Sequence, residues 1–242
     1  MRVLAAAVAW ACLVSALPCM VPVASADENL FGYVRGSETL PAGELELYSR
    51  TTVRDGKGTG SYQALDEEIE FEFGVTDRFM MSTSVSLLAV DTNGLSIDGD
   101  LPGGEQTGLK FSGLELTGKY SILRPAIDDL GLSVRASLER KWLDSLSGED
   151  MDETELEVML IAQQDLMDGQ LVWAANAGVV AGYEVKAPLA SPPLGFSWDT
   201  EPEVELGLKL GAGISYRFVP RWFVGVETLY ESKYETEEGL AG

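Results

Sequence analysis

Between Glu67 and Val90 the chain reads EEIEFEFGVTDRFMMSTSVSLLAV. Ile69, Phe71 and Phe73 alternate with Glu68, Glu70 and Glu72, and after GVTDR the beat resumes with Phe79, Met81, Thr83, Val85 and Leu87. A two-residue period predicts a strand with one apolar and one polar face. Nine such segments can be read, with apolar faces Leu45 to Val53, Ile69 to Phe73, Phe79 to Ala89, Leu114 to Ile122, Leu130 to Leu138, Leu156 to Ala162, Leu171 to Tyr183, Val204 to Tyr216 and Trp222 to Tyr230. The helical period of 3.6 is convincing nowhere after the first 26 residues. ETELEVMLIAQQ, at 153–164, could be written as a helix; flanking strands make it a strand here.

The opposite parity carries the charge: Glu44, Glu46, Arg50, Glu68, Glu70, Glu72, Glu115, Lys119, Arg135, Glu139, Glu155, Glu157, Glu205, Lys209, Arg217 and Glu227. Arg140 is the main exception, at a strand end where it can snorkel. Phe73, Phe79, Tyr120, Trp173, Tyr216, Phe218 and Trp222 stand on the apolar parity close to the brief connections. Trp142, Tyr183 and Tyr230 stand near the other ends. Connections read as alternating short (GVTDR, LRPAIDD, DLMDGQ, FVPR) and mostly longer (RDGKGTGSY, DTNGLSIDGDLPGGEQTG, DSLSGEDMDE, EVKAPLASPPLGFSWDTEPE). Charge confined to one face, aromatics at two heights and loops sorted by parity predict a transmembrane barrel. Lipid contact explains Ile69, Phe71 and Phe73, and a wet interior explains the glutamates between them. A closed ring also pairs every backbone polar group, as hydrocarbon requires.

Composition narrows the setting. Residues 1–26 have a basic start at Arg2, an apolar run and a small-x-small end at Ala24 and Ala26, the pattern of a cleaved secretion signal. Residues 27–242 are then the barrel domain. Both cysteines, Cys12 and Cys19, leave with the signal, so no disulfide is expected. The whole chain carries −22, and loss of Arg2 makes the remainder one unit more negative, which argues against nucleic acid as a partner. The expected location is the outer membrane of a Gram-negative bacterium, with membrane lipid and lipopolysaccharide as surroundings. Nine strands is an odd number, whereas single-chain bacterial barrels have even ones. The expectation is therefore an all-β, antiparallel up-and-down transmembrane β-barrel of about 10–12 strands when complete, with a C-terminal strand missing or with NLFGYVRG supplying another.

The stretch YVRGSETLPAGELELYSRTTVRDGKGTGSYQALDEEIEFEFGVTDRF resembles a family of uncharacterised bacterial outer-membrane β-barrels. That family opens with a GSETLPxGxxELY strand, a glycine-rich loop and a charged strand ending in GxTDR. It is distantly similar to barrels encoded near aromatic-degradation pathways, which share the LPxG opening. The resemblance implies a porin-like or solute-channel barrel, names no substrate and brings no catalytic residues; members of the family continue further. GxTDR also has a mechanical reading, with Gly74 allowing a tight bend and Asp77 bonding its own backbone.

The chain holds no histidine, which removes His-dependent triads and His metal sites. No enzyme activity, cofactor or metal is expected. The acidic loops lack the spacing of a calcium loop. As candidate pore lining, Glu68, Glu70, Glu72, Arg50, Lys119, Arg135, Glu157, Lys209, Arg217 and Glu227 would favour small or cationic solutes, since the inner parity holds eleven acidic and five basic residues. The girdle would be Phe73, Phe79, Tyr120, Trp173, Tyr216, Trp222, Trp142, Tyr183 and Tyr230. A structural or adhesive barrel with a plugged interior, or a soluble periplasmic β-domain, are the competing readings.

Overall fold

The structure is a computed structural model; residues 30–96, 107–188, 200–220 and 222–236 are described here. Alternation of β-branched, aromatic and polar residues yields nine strands: β1 (Leu45–Asp55), β2 (Thr59–Thr76), β3 (Phe79–Ser96), β4 (Lys110–Leu123), β5 (Gly131–Leu143), β6 (Asp150–Leu166), β7 (Leu171–Lys186), β8 (Glu203–Val219) and β9 (Trp222–Thr236). They form one antiparallel up-and-down sheet in the order β1 to β9, curled into a half-barrel. The 153–164 stretch lies within β6 and is strand throughout. Eight antiparallel steps, an even number, separate β1 from β9, so the two run in the same direction.

Register converts the sequence period into two faces. Glu70 lies opposite Ser84, Lys119 opposite Arg135 and Glu139 opposite Glu155, so polar positions stay together from strand to strand. Burial is inverted relative to a water-soluble domain: Glu70 and Glu157 are 5% and 7% exposed, while Leu206 and Val226 are 58% and 68% exposed. Arg140 is on the outer face, as its parity requires, and pairs there with Asp152. Glu67 is an outer-parity charge that periodicity alone passes over; its two carboxylate oxygens accept hydrogen bonds from the Ser49 and Thr51 hydroxyls of β1. At the other end of β2 the inner face turns apolar. Tyr62, Ala64, Leu88, Val90 and Leu143 pack with Leu146, and the Tyr62 hydroxyl donates to the Ser145 carbonyl at 3.1 Å. The loop 144–149 thus folds inward, and Asp144 Oδ1 caps its turn by accepting from Leu146 N and Ser147 N.

Five local expectations are corrected. The β1–β2 connection is a tight hairpin of residues 56–58, because strand pairing runs through the glycine-rich stretch, where Gly56, Gly58 and Gly60 take positive φ (70°, 64° and 97°). The β4–β5 connection is longer, at 124–130, so strict alternation of loop length fails on this side. NLFGYVRG adds no strand: the described part, from Leu30, is a series of bends that crosses the inner face of the sheet. Gly74 is not a bend residue. It pairs with Met80 within β2, and a Cβ there would lie 2.0 Å from the Pro41 carbonyl oxygen. Asp77 likewise serves the crossing segment, accepting from Ala42 N at 3.2 Å through Oδ1 and from Thr39 through its carbonyl.

Gly74→Ala should therefore cost about 1–3 kcal/mol, because Pro41 cannot give way without moving the crossing segment. Gly108→Ala, where a Cβ meets nothing within 4 Å, should be near neutral. The midpoint of the heat-induced gel-mobility shift of each variant measures this.

Candidate functional site

The inner face collects the charges that β-periodicity sends there. At its centre Arg135 of β5 reaches both neighbouring strands, with Nη2 2.7 Å from Glu115 Oε1 on β4 and Nη1 2.8 Å from Glu157 Oε1 on β6. Its remaining donors go to Thr117 and Ser137 hydroxyls. Lys209 of β8 bridges over β7 to Glu155 and Glu157 at 3.2 and 3.0 Å. It can do so because β7 places small side chains between them, such as Gly178, which pairs with both Met159 and Lys209. Lys141 lies 3.3 Å from both Glu139 and Glu153. Each of these cations sits between two carboxylates, an arrangement that balances charge locally and still leaves acid in excess. A cavity of about 260 Å³ opens on this network, lined by Glu115, Glu139, Glu155, Glu157 and Glu231 against Arg35, Arg135 and Lys209.

The second component is the segment from Phe31 to Pro41, which passes each strand in turn and is held by the wall's side chains. Glu227 of β9 accepts three main-chain bonds, from Gly32, Tyr33 and Val34 N–H at 2.9–3.1 Å. Asn176 of β7 accepts from Arg35 N at 2.7 Å and donates to Arg35 O at 2.9 Å. Gln163 of β6 accepts from Ser37 N at 2.8 Å, the Ser133 hydroxyl of β5 donates to Ser37 O, and Lys119 Nζ of β4 donates to Gly36 O at 3.3 Å. A main chain taken out of water must find such partners, and β4, β5, β6, β7 and β9 each supply one. Glycines let it lie close: a Cβ on Gly213 would meet the Phe31 ring at 2.7 Å, and one on Gly131 would meet Ser37 Oγ at 2.1 Å.

The ten pore-lining candidates all fall on the inner parity, but the fold divides them. Arg135, Glu157 and Lys209 form the central network. Glu70, Glu72 and Lys119 line a small cavity of about 30 Å³ beneath Arg35 and Gly36, with Glu70 accepting from the Ser82 hydroxyl at 2.7 Å. Arg50 and Glu68 pair at 2.7 Å near the β1 edge. Glu227 binds the crossing segment, and Arg217 sits near the β8–β9 turn away from the network. All nine girdle residues have outer parity: Phe73, Tyr120, Tyr183, Tyr216, Trp222 and Tyr230 are exposed, Phe79 and Trp173 are part-buried, and Trp142 stacks on Phe111 with centroids 5.0 Å apart. Ala24 and Ala26, and the signal as a whole, lie outside the described residues. Asn176, Gln163, Ser133, Glu153 and Lys141 were not among the candidates. Asn176 alone had a readable signal, as a lone amide in the inner row of β7 that is otherwise apolar from Val172 to Gly182.

Residues 23–242 match the family described as "Family of unknown function (DUF6662)". The chain belongs to this family. No curated protein and no solved structure gives a significant match. Its family therefore supplies no ligand or reaction, and chemistry must be argued from the wall itself. What that wall can do is hold ions and polar groups: it offers carboxylates in excess, cations shared between them, and main-chain binding groups.

Arg135→Gln should destabilise the protein by on the order of 2–3 kcal/mol, since it leaves Glu115 without its cation and Glu157 with Lys209 alone. Heat-induced mobility shift reads that loss. Glu38, in the crossing segment, has its carboxyl pushed up by burial and further by Asp165. Its ionised form is thus the costly one, and stability falls as pH rises through its folded value. Glu38→Gln should melt above the parent at about pH 8 and lose that advantage at about pH 4.

Proposed function

We propose that this chain is an outer-membrane β-barrel protein of a Gram-negative bacterium, exported by a cleaved N-terminal signal, with a porin-like passage for small or cationic solutes. One observation carries the reading: side chains are sorted inside out, with Leu, Val, Phe and Tyr exposed over the outer face and Glu, Lys and Arg turned inward. In water such an outer face would far exceed the ~300–600 Å² of apolar patch that soluble monomers tolerate. Against acyl chains it is the favourable arrangement.

The aromatics support the same placement. Trp173 and Tyr183 on β7 are ten residues apart, about 34 Å along the strand and about 26 Å in height at a tilt of ~40°, close to the apolar band of such barrels. The excess of carboxylates around the central cavity supports a preference for cations. A non-conducting, plugged barrel is the second reading, favoured by the segment that crosses the inner face and by the apolar packing around Tyr62.

On this reading the protein partitions with outer membranes, resists release by osmotic shock and salt, and changes gel mobility on heating. Recovery in the aqueous periplasmic fraction without detergent would refute it. In planar bilayers it should pass K⁺ in preference to Cl⁻, and Glu155→Gln with Glu157→Gln should reduce that preference.

A further inference from the structure

We propose that residues 31–41 are a hinged plug, a peptide ligand on a tether that lies across the inner face in this structure and leaves it to open the passage. The inference rests on the channel reading and concerns its regulation. Three observations carry it. First, the segment stands outside the ladder: among the described residues, 31–40 form no backbone–backbone hydrogen bond to any strand. Second, its main chain is held instead by wall side chains, chiefly Glu227, Asn176 and Gln163. Such bonds can be exchanged for water one at a time, while ladder pairs break cooperatively. Third, its C-terminal end has a fixed pivot. Gly43 takes φ 86° and donates to Gly74 O of β2 at 2.7 Å, and Asp77 holds Thr39 and Ala42 beside it, which fixes the segment to the rim just before β1. Once Glu227, Asn176, Gln163, Ser133 and Lys119 exchange their bonds for water, residues 31–38 can turn away from the wall without disturbing a strand.

The segment covers the route it would block. Arg35 and Gly36 roof the small cavity over Glu70 and Glu72, and Tyr33 and Arg35 line the larger one. Val34 is buried against β8, where a Cβ on Gly211 would lie 3.4 Å from Val34 Cγ2. That contact offers a lock: the Sγ of a cysteine at 34 can take the Cγ2 position, near the ~3 Å that separates a Cβ from the far sulfur across a disulfide, and both native cysteines precede residue 20.

The test is single-channel recording of the full chain carrying Val34→Cys with Gly211→Cys, oxidised and then reduced in the same bilayer, beside Glu227→Ala. The oxidised form should stay closed, and reduction should restore opening. Glu227→Ala should raise open occupancy about tenfold, equivalent to about 1.4 kcal/mol of lost holding energy. The locked protein serves as its own folding control, because one folded sample is read twice. Equal open occupancy in oxidised, reduced and Glu227→Ala forms overturns the plug and leaves a channel. Silence in every form of a protein that inserts and shows heat-modifiable mobility overturns both.

Discussion

The antiparallel ladder imposes the constraint from which the other features follow. Each strand spends its backbone N–H and C=O groups on its neighbours, so side chains must leave alternately to the two faces. Nine strands in register then add their alternations into two continuous surfaces. Glu70, Arg135 and Glu157 come together because they share a parity across β2, β5 and β6, although they are far apart in sequence. A one-residue slip in any pair would send a row of glutamates outward and a row of leucines inward.

The inner surface handles its charge by sharing. Arg135 and Lys209 both reach Glu157, and Lys141 stands between Glu139 and Glu153. A buried ion pair is a weak source of stability because desolvation offsets attraction. Its use here is positional: it fixes long side chains along the wall and defines the shape of the cavity they border. The outer surface makes the opposite compromise. It keeps apolar area exposed and restricts charge to places with a local partner, as with Arg140 beside Asp152 and Glu67 beneath Ser49 and Thr51.

The segment from Phe31 to Pro41 links the wall to the proposed function. It is irregular, yet its main chain is satisfied by Glu227, Asn176, Gln163, Ser133 and Lys119. An inner face whose polar side chains bind backbone is preorganised for an extended peptide, and this chain provides its own. Membership of a family with no assigned function leaves the inside-out sorting of side chains as the basis for placing it in a membrane.

The sequence by itself determined the strands, their two faces and the separation of charge from apolar surface, because a period of two is a local property that any run of ten residues displays. It also set the inner parity of Glu70, Arg135 and Glu157 and the outer parity of Trp173 and Tyr183. Only the tertiary structure decided which inner charges meet, since Lys209 reaches Glu155 across an intervening strand through a register no local pattern encodes. It alone assigned Gly74 to close packing under Pro41 in place of a bend, and turned Asp77, Asn176 and Gln163 into holders of a crossing segment. Those roles depend on contacts between residues up to 141 positions apart, and the physical reason they were hidden is that an aperiodic segment carries no signal of the surface it will lie against.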